Sequence, residues 1–382
     1  MSGATTTVMN RLDHLAETIK LSRLLGVPTE RLGFLADADP TALKTVRERL
    51  TTTMSEDVRP MLSRAVKASK LLPVGLVAKM GERVMGPMLC AHMAGMMDPG
   101  RAVEVSARMS DAFLADVSTM MEPKRAATVI AAMPRDRVVA TAKILAERGD
   151  HITLARFVAV LSEDTIKAVI AAIPNDHALL HTAFFVEAKD TLDRLVALVP
   201  LERLAGVVRL VARSAGELWT EALALLTHVG ERWQRTIGEL AAAEEDSALA
   251  HMIGTIERLS LWPSVVPLLA ALGEAAQRRL MALPSVRAPG VVSAIVRATD
   301  TTARWSKLLP IVVHMDDDLR RHVAREVETL GPGIFERMIP LREVLPATPL
   351  ETWPGLAAIA LHLSPDRRAE LDALLRSPTS PA

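Results

Sequence analysis

The sequence predicts an all-α protein built as an α-solenoid, a superhelical stack of short helices. Three observations carry this expectation. Apolar residues recur at helical spacing, whereas alternating β-branched and aromatic runs joined by Asn-Gly or Asp-Gly turns are lacking. Pro, Gly or Asp interrupts the pattern every dozen to twenty residues or so, which gives many short helices. The chain also resembles itself at fixed offsets. With 382 residues, 49% of them hydrophobic, it can fill two or three cores.

Four stretches follow in order. Residues 1–70 read as an N-terminal helical cap, with "GVPTERLGFL" and "ADPTALKTV" as helix starts after a polar, frayed "MSGATTT". Residues 71–205 read as Met-rich helical repeats. Gly86-Pro87 should open a helix running to about Met97, because proline suits a first turn whose N–H has no helical partner. Asp98-Pro99 and Glu122-Pro123 should open two more, Asp98 being the better cap. Residues 206–376 read as diverged helical pairs, with helices near 217–228, 232–243, 247–259, 264–282, 290–298, 302–313, 318–329 and 366–376. Residues 377–382, "SPTSPA", read as a disordered tail.

The repeats are explicit in the second stretch. "MDPGRAVEVSARM" (97–109) and "MEPKRAATVIAAM" (121–133) share 7 of 13 positions. "VIAAMPRD" (129–136) returns as "VIAAIPND" (169–176), and "TLARFVA" (153–159) as "TLDRLVA" (191–197). One such unit cannot bury its apolar stripe alone, so neighbours must stack, and the helices are expected to follow one another in chain order. The unit resembles the helical repeats of the cytosolic N-terminal domain of MgtE-type magnesium transporters, over about residues 90–205. That resemblance implies short helices in a HEAT-like superhelix and a divalent-cation-responsive regulatory role. Helix starts here carry Arg101, Arg125 and Arg137 where the family is more acidic, and no metal-binding residue carries over.

Composition excludes several classes. Lys plus Arg and Asp plus Glu both number 45, so no nucleic-acid partner is expected. The longest uncharged runs, 84–97 and 259–273, are too short and proline-broken for a transmembrane segment. No secretory leader is apparent, and a lone Cys90 fits a reducing, cytoplasmic setting.

The densest soft chemistry lies in "GERVMGPMLCAHMAGMMDPGRA" (81–102), with five methionines, Cys90 and His92. Met88, His92 and Met96 lie four apart and should share a face, whereas Cys90 sits about 200° around the axis from His92. Methionine commonly fills irregular core, yet it also lines adaptable grooves, so Met85, Met88, His92 and Met96 are the candidate ligand- or partner-binding residues. His177 and His181 have zinc-compatible spacing, and His314, Asp318 and His322 would align on an unbroken helix. Neither set outweighs capping or solvent roles; Asp176 and the aspartates 316–318 read better as helix caps. No catalytic motif occurs, so no catalytic residue, metal or cofactor is assigned. The expected function is a non-catalytic scaffold, adaptor or regulatory subunit with a protein partner. A binder of a small hydrophobic molecule, lipid- or isoprenoid-like, and a divalent-cation-responsive regulator are the alternatives.

Overall fold

The computed structural model describes residues 3–56, 59–339, 350 and 353–376. Every regular element among them is helical, so the chain is all-α. The tail expected over 377–382 lies outside the described residues. Two compact units are present: Val8–Arg203, and Leu204–Ala382 together with Met1–Thr7. The division falls inside helix Leu201–Arg213, where the sequence periodicity decays.

In the first unit, alternate helices lie against one another. Gly86–Ala94 packs on Asp111–Met120, which packs on Arg135–Glu147 and so on Glu163–Ala172. A second row holds Val74–Met80, Pro99–Ser106 and Ala127–Ala132. Short side chains keep the rows close. Ala115, Ala142, Leu145, Ala146, Leu154, Ile173 and Ala178 form one buried cluster, and Ala91, Val117, Met121, Ala126 and Ile130 another. Asp98 caps its helix as expected, accepting from the Arg101 N–H at 3.1 Å. Glu122 does not: residues 123–126 turn and the helix starts only at Ala127. A glutamate side chain is long for an N-cap. This one lies 3.3 Å from the Arg156 guanidinium instead.

Arginine fastens the rows. The last carbonyls of a helix have no intrahelical donor, and a guanidinium from a later helix supplies one. Arg101 donates to the Ser69 and Leu72 carbonyls, and Arg137 to those of Ser106 (2.8 Å) and Met109 (2.6 Å). Arg203 serves Ile173 at 3.2 Å. In the second unit Arg279 serves Ala242 and Glu244, and Arg367 serves Gly331. Arg101 and Arg137, two of the arginines at the helix starts of the repeats, are thus ties from a later helix to the end of an earlier one.

Chain order fails at the N-terminus. The backbone is helical from Gly3 to Leu25, including most of the stretch expected to fray, because nothing in it breaks the helix that Ala16 and Leu21 anchor. With Thr29–Leu35 and Pro40–Glu56 this helix encloses its own small core of Leu21, Leu32 and Leu43. It then joins residues 150–189, not the adjoining repeats: Arg23 pairs with Asp150, and Arg47 with Glu187 at 2.8 Å.

The second unit repeats the alternate packing. Glu231–Ala242 lies on Trp262–Ala271, that on Pro289–Thr301, and that on Asp317–Thr329. The single helix expected over 264–282 is two, Trp262–Ala271 and Glu274–Ala282, with extended Leu272 and Gly273 between them. Pro267 is carried inside the first. Trp305, Phe335, Leu308, Ile311 and Leu356 are almost wholly buried. Gly355 brings helix Pro354–Ala360 against Trp305–Val312 so closely that a Cβ would lie 1.9 Å from the Leu309 carbonyl oxygen.

Candidate functional site

The Met-rich stretch is a helix, but shorter than expected. It runs Gly86–Ala94, is entered from a π-helical turn Gly81–Met85, and stops at Gly95. Gly86 takes φ +75°, open to glycine, and separates the turn from the helix. Met96 therefore lies beyond the helix end, and the face expected of Met88, His92 and Met96 is broken. Met85, Met96, Met97 and Leu89 pack with buried Leu62, Val66 and Met93, filling the contact with helix Arg59–Ser69. His92 turns inward on its own helix, donating from Nδ1 to the Met88 carbonyl at 2.8 Å. Burial and the Glu82 charge push the Cys90 thiol up to about 11, which makes it a poor nucleophile. The helix is not covered all round: Met88 is 57% exposed.

Other apolar side chains near it in the chain are exposed as well. Leu76, Met80 and Val84 lie four apart along the continuous helical run from Val74 to Met85, and all three are exposed, Val84 by 78%. Met61, on the helix that packs against Gly86–Ala94, is exposed too, as is Leu71. The charged side chains between residues 60 and 97 are Arg64, Lys67, Lys70, Lys79, Arg83 and a single acid, Glu82. All five cations are exposed. Glu82 is occupied: its carboxylate accepts from the Ser110 N–H at 2.7 Å and its hydroxyl at 3.0 Å, and these bonds hold it below the usual range. Arg108 adds another cation, its guanidinium 3.8 Å from where a Gly75 Cβ would stand. The result is a run of exposed apolar side chains in a stretch with an excess of exposed cations, on a chain whose total charge is zero. Its signal in the sequence is the local excess of Lys and Arg over 60–97, which whole-chain charge hides.

The other predicted ligands fare differently. His314, Asp318 and His322 do not share a helix. Asp316 caps a new one, accepting from the Leu319 N–H at 3.0 Å, and Asp318 pairs with Arg321. His177 and His181 do come together on helix Asp176–Phe184, with their Nε2 atoms 2.9 Å apart. A third imidazole that the sequence gave no reason to include joins them. His151, at the start of helix His151–Phe157, stacks on His181 with ring centres 5.4 Å apart. Burial and the neighbouring rings lower the His181 pKa to about 4, and burial and His177 lower that of His151. Among the described residues, no three His, Cys, Asp or Glu side chains stand ready-made as a metal cage.

The same unit holds a largely buried ion network that sequence reasoning also missed, since its members come from three separate stretches, 17–20, 47 and 187–189. Glu17 accepts from Lys20 at 2.8 Å and from Arg47 at 3.0 Å, and Arg47 reaches on to Glu187. Glu17, Lys20 and Arg47 are all buried. Burial alone would push Glu187 up, but Lys20 and Arg47 outweigh it and hold the carboxylate below its usual range. Burial lowers the Lys189 amine to about 8, and it donates to the Phe184 carbonyl at 2.6 Å. The full pairing reads as structural.

No family model matches the chain, and no curated protein matches it. Among the described residues, no helix is long and apolar enough to cross a membrane.

Proposed function

We propose that the protein is a non-catalytic helical-repeat adaptor or scaffold, and that the strip Leu76, Met80, Val84 and Met88 docks an acidic amphipathic helix of a protein partner. One observation carries this reading: Leu76, Met80 and Val84 are exposed at helical spacing, with Met88 exposed at the start of the next helix, in a stretch whose charged residues are Arg64, Lys67, Lys70, Lys79, Arg83 and the occupied Glu82. An apolar strip of that form takes the apolar face of a helix. Its cations select a partner with acidic flanks and speed encounter. Met88 is the candidate from the Met-rich stretch that belongs to this face, and Met85, Met96 and His92 support it from behind. Stacked repeats offer such surfaces without supplying chemistry, and the MgtE-like repeat, the solenoid arrangement and a cytoplasmic setting, drawn from lone Cys90, belong to the same reading. A small apolar ligand would need the space that Met85, Met93 and Met96 fill against Leu62 and Val66. Magnesium response is carried by the resemblance alone.

The test uses a synthetic amphipathic helix with Leu on one face and Glu on the other, alongside the same peptide with Lys for Glu. The acidic peptide should bind the full chain, weaken as salt rises, and lose binding at least about ten-fold in Val84→Asp and in Lys79→Glu/Arg83→Glu. Equal binding of both peptides would overturn the reading. So would stronger association of the chain with phosphatidylserine vesicles than with the acidic peptide, which would make the face a membrane surface.

A further inference from the structure

We propose that His151, His177 and His181 form a binding site for a divalent transition-metal ion of the kind that prefers imidazole, copper(II), nickel(II) or zinc(II). The site is independent of the docking face.

Its geometry is as follows. Two imidazole nitrogens bound cis to one ion at about 2.05 Å lie about 2.9 Å apart when the angle between them is a right angle. The His177 and His181 Nε2 atoms are 2.9 Å apart. One turn of helix Asp176–Phe184 sets this spacing, so the pair needs only ring rotation to turn both Nε2 atoms from each other toward one ion. In the ion-free chain one ring donates to the other across this gap; on ion binding the donor ring takes the tautomer with its proton on Nδ1, so that both Nε2 lone pairs are free to ligate. The His177–His181 ring centres are 4.1 Å apart, and those of His151 and His181 5.4 Å. His151 does not yet aim at the same point, since its ring lies only 22° from the plane of His181. To serve as a third ligand His151 would have to rotate about its side-chain bonds, giving up only a long 3.5 Å approach of its Nδ1 to Thr182 Oγ1. His177 is exposed and the other two rings are partly so, leaving a path for the ion and room for water as a further ligand. Metal ligation needs neutral imidazole, and the partly buried setting disfavours the charged form.

The ion would tie the first residue of helix His151–Phe157 to its neighbour, next to Asp150, which carries Arg23 of the N-terminal helix. The experiment titrates the ion-free full chain with copper(II), nickel(II) and zinc(II) separately. Copper should give a one-to-one complex whose electron paramagnetic resonance shows nitrogen ligands. His177→Ala and His181→Ala should each weaken binding about ten-fold or more, and His151→Ala by a smaller factor. His177 is on the surface, so its variant keeps the fold, which circular dichroism checks. Lack of saturable binding at about 100 μM of each ion, or unchanged affinity in the folded His177→Ala chain, would overturn the proposal.

Discussion

A carboxyl group taken out of water keeps its proton, and Glu221 on helix Trp219–Leu226 does so: burial raises its pKa from 4.5 to about 7. The unfolded chain releases that proton first. The contribution to stability is therefore whole below pH 4.5 and lost as the pH rises through 7. Glu221→Gln keeps the neutral shape at every pH. The variant should match the parent near pH 5 and exceed it near pH 8, by on the order of 1 kcal/mol, since the group is only partly buried. Thermal midpoints at the two pH values check this; an equal offset at both would mean that the carboxyl does not titrate between them. Legibility at this scale followed locality. Asp98 and Asp316 were recognisable as caps because a cap bonds three residues ahead. The sequence could not separate exposed Met88 from buried Met93, because the helix carrying them is apolar on every side and neighbours alone decide which face is covered.

Helices in this chain are held by what their ends and their glycines permit. Arg137 bonds the Ser106 carbonyl at the end of helix Pro99–Ser106 and the Met109 carbonyl just beyond it, and pairs with Asp111. Arg137→Leu keeps the apolar stem but removes the Met109 carbonyl's guanidinium donor and leaves Ser106 with the Met109 N–H alone, so it should cost about 1 to 3 kcal/mol. Hydrogen exchange should report the loss first in residues 99–110. Uniform loosening of the whole unit would point to a packing defect instead. Gly355 gives a sharper contrast. A methyl there meets the Leu309 carbonyl oxygen, and backbone cannot give way as a side-chain tip can, so Gly355→Ala should cost about 3 kcal/mol or more. Gly254 lies mid-helix in Asp246–Arg258 with nothing within 4 Å of its Cβ position, and Gly254→Ala should stabilise by about 0.5 to 1 kcal/mol. Urea denaturation of both variants decides it; a similar effect from the two would discard the close approach. Periodicity revealed most elements of the second unit, including 232–243, 247–259 and 318–329, each found within a residue or so. It failed where an apolar pattern runs through a break, as at Gly273, and where a Pro signal stands without a short capping side chain, as at Glu122.

The unit Val8–Arg203 joins its first helices to its last through charge, and long-range pairing of this kind leaves no periodic trace. The repeats at 97–133 and 129–176 were visible because each copy solves the same packing problem, whereas Arg47 and Glu187 occur once each. Arg47 is the centre of the junction, bonding Glu17 and Glu187 together. Removing it leaves buried Glu17 and partly buried Glu187 close together, with Lys20 as the cation that touches both. Breaking a buried pair from one side costs about 3 to 5 kcal/mol, so Arg47→Met should release helices Gly3–Leu25 and Pro40–Glu56 from residues 150–189. Removing charge from both sides leaves less unpaired, and Arg47→Met/Glu187→Leu should recover part of the loss, with a coupling of about 1 to 3 kcal/mol. Acid should act in the same direction as Arg47→Met. Folding holds Glu187 and Asp150 below their unfolded pKa values, so their contribution is present above about pH 4.5 and lost as the pH falls below it. Hydrogen exchange of residues 13–50 measures all three effects. The parent should lose protection there as the pH falls from about 4.5 toward 3, before residues 99–147 do, and Arg47→Met should lack it already at pH 7. Equal protection of residues 13–50 in parent and variant at pH 7 would show that the small core of Leu21, Leu32 and Leu43, and not the ion network, holds the N-terminal helices in place.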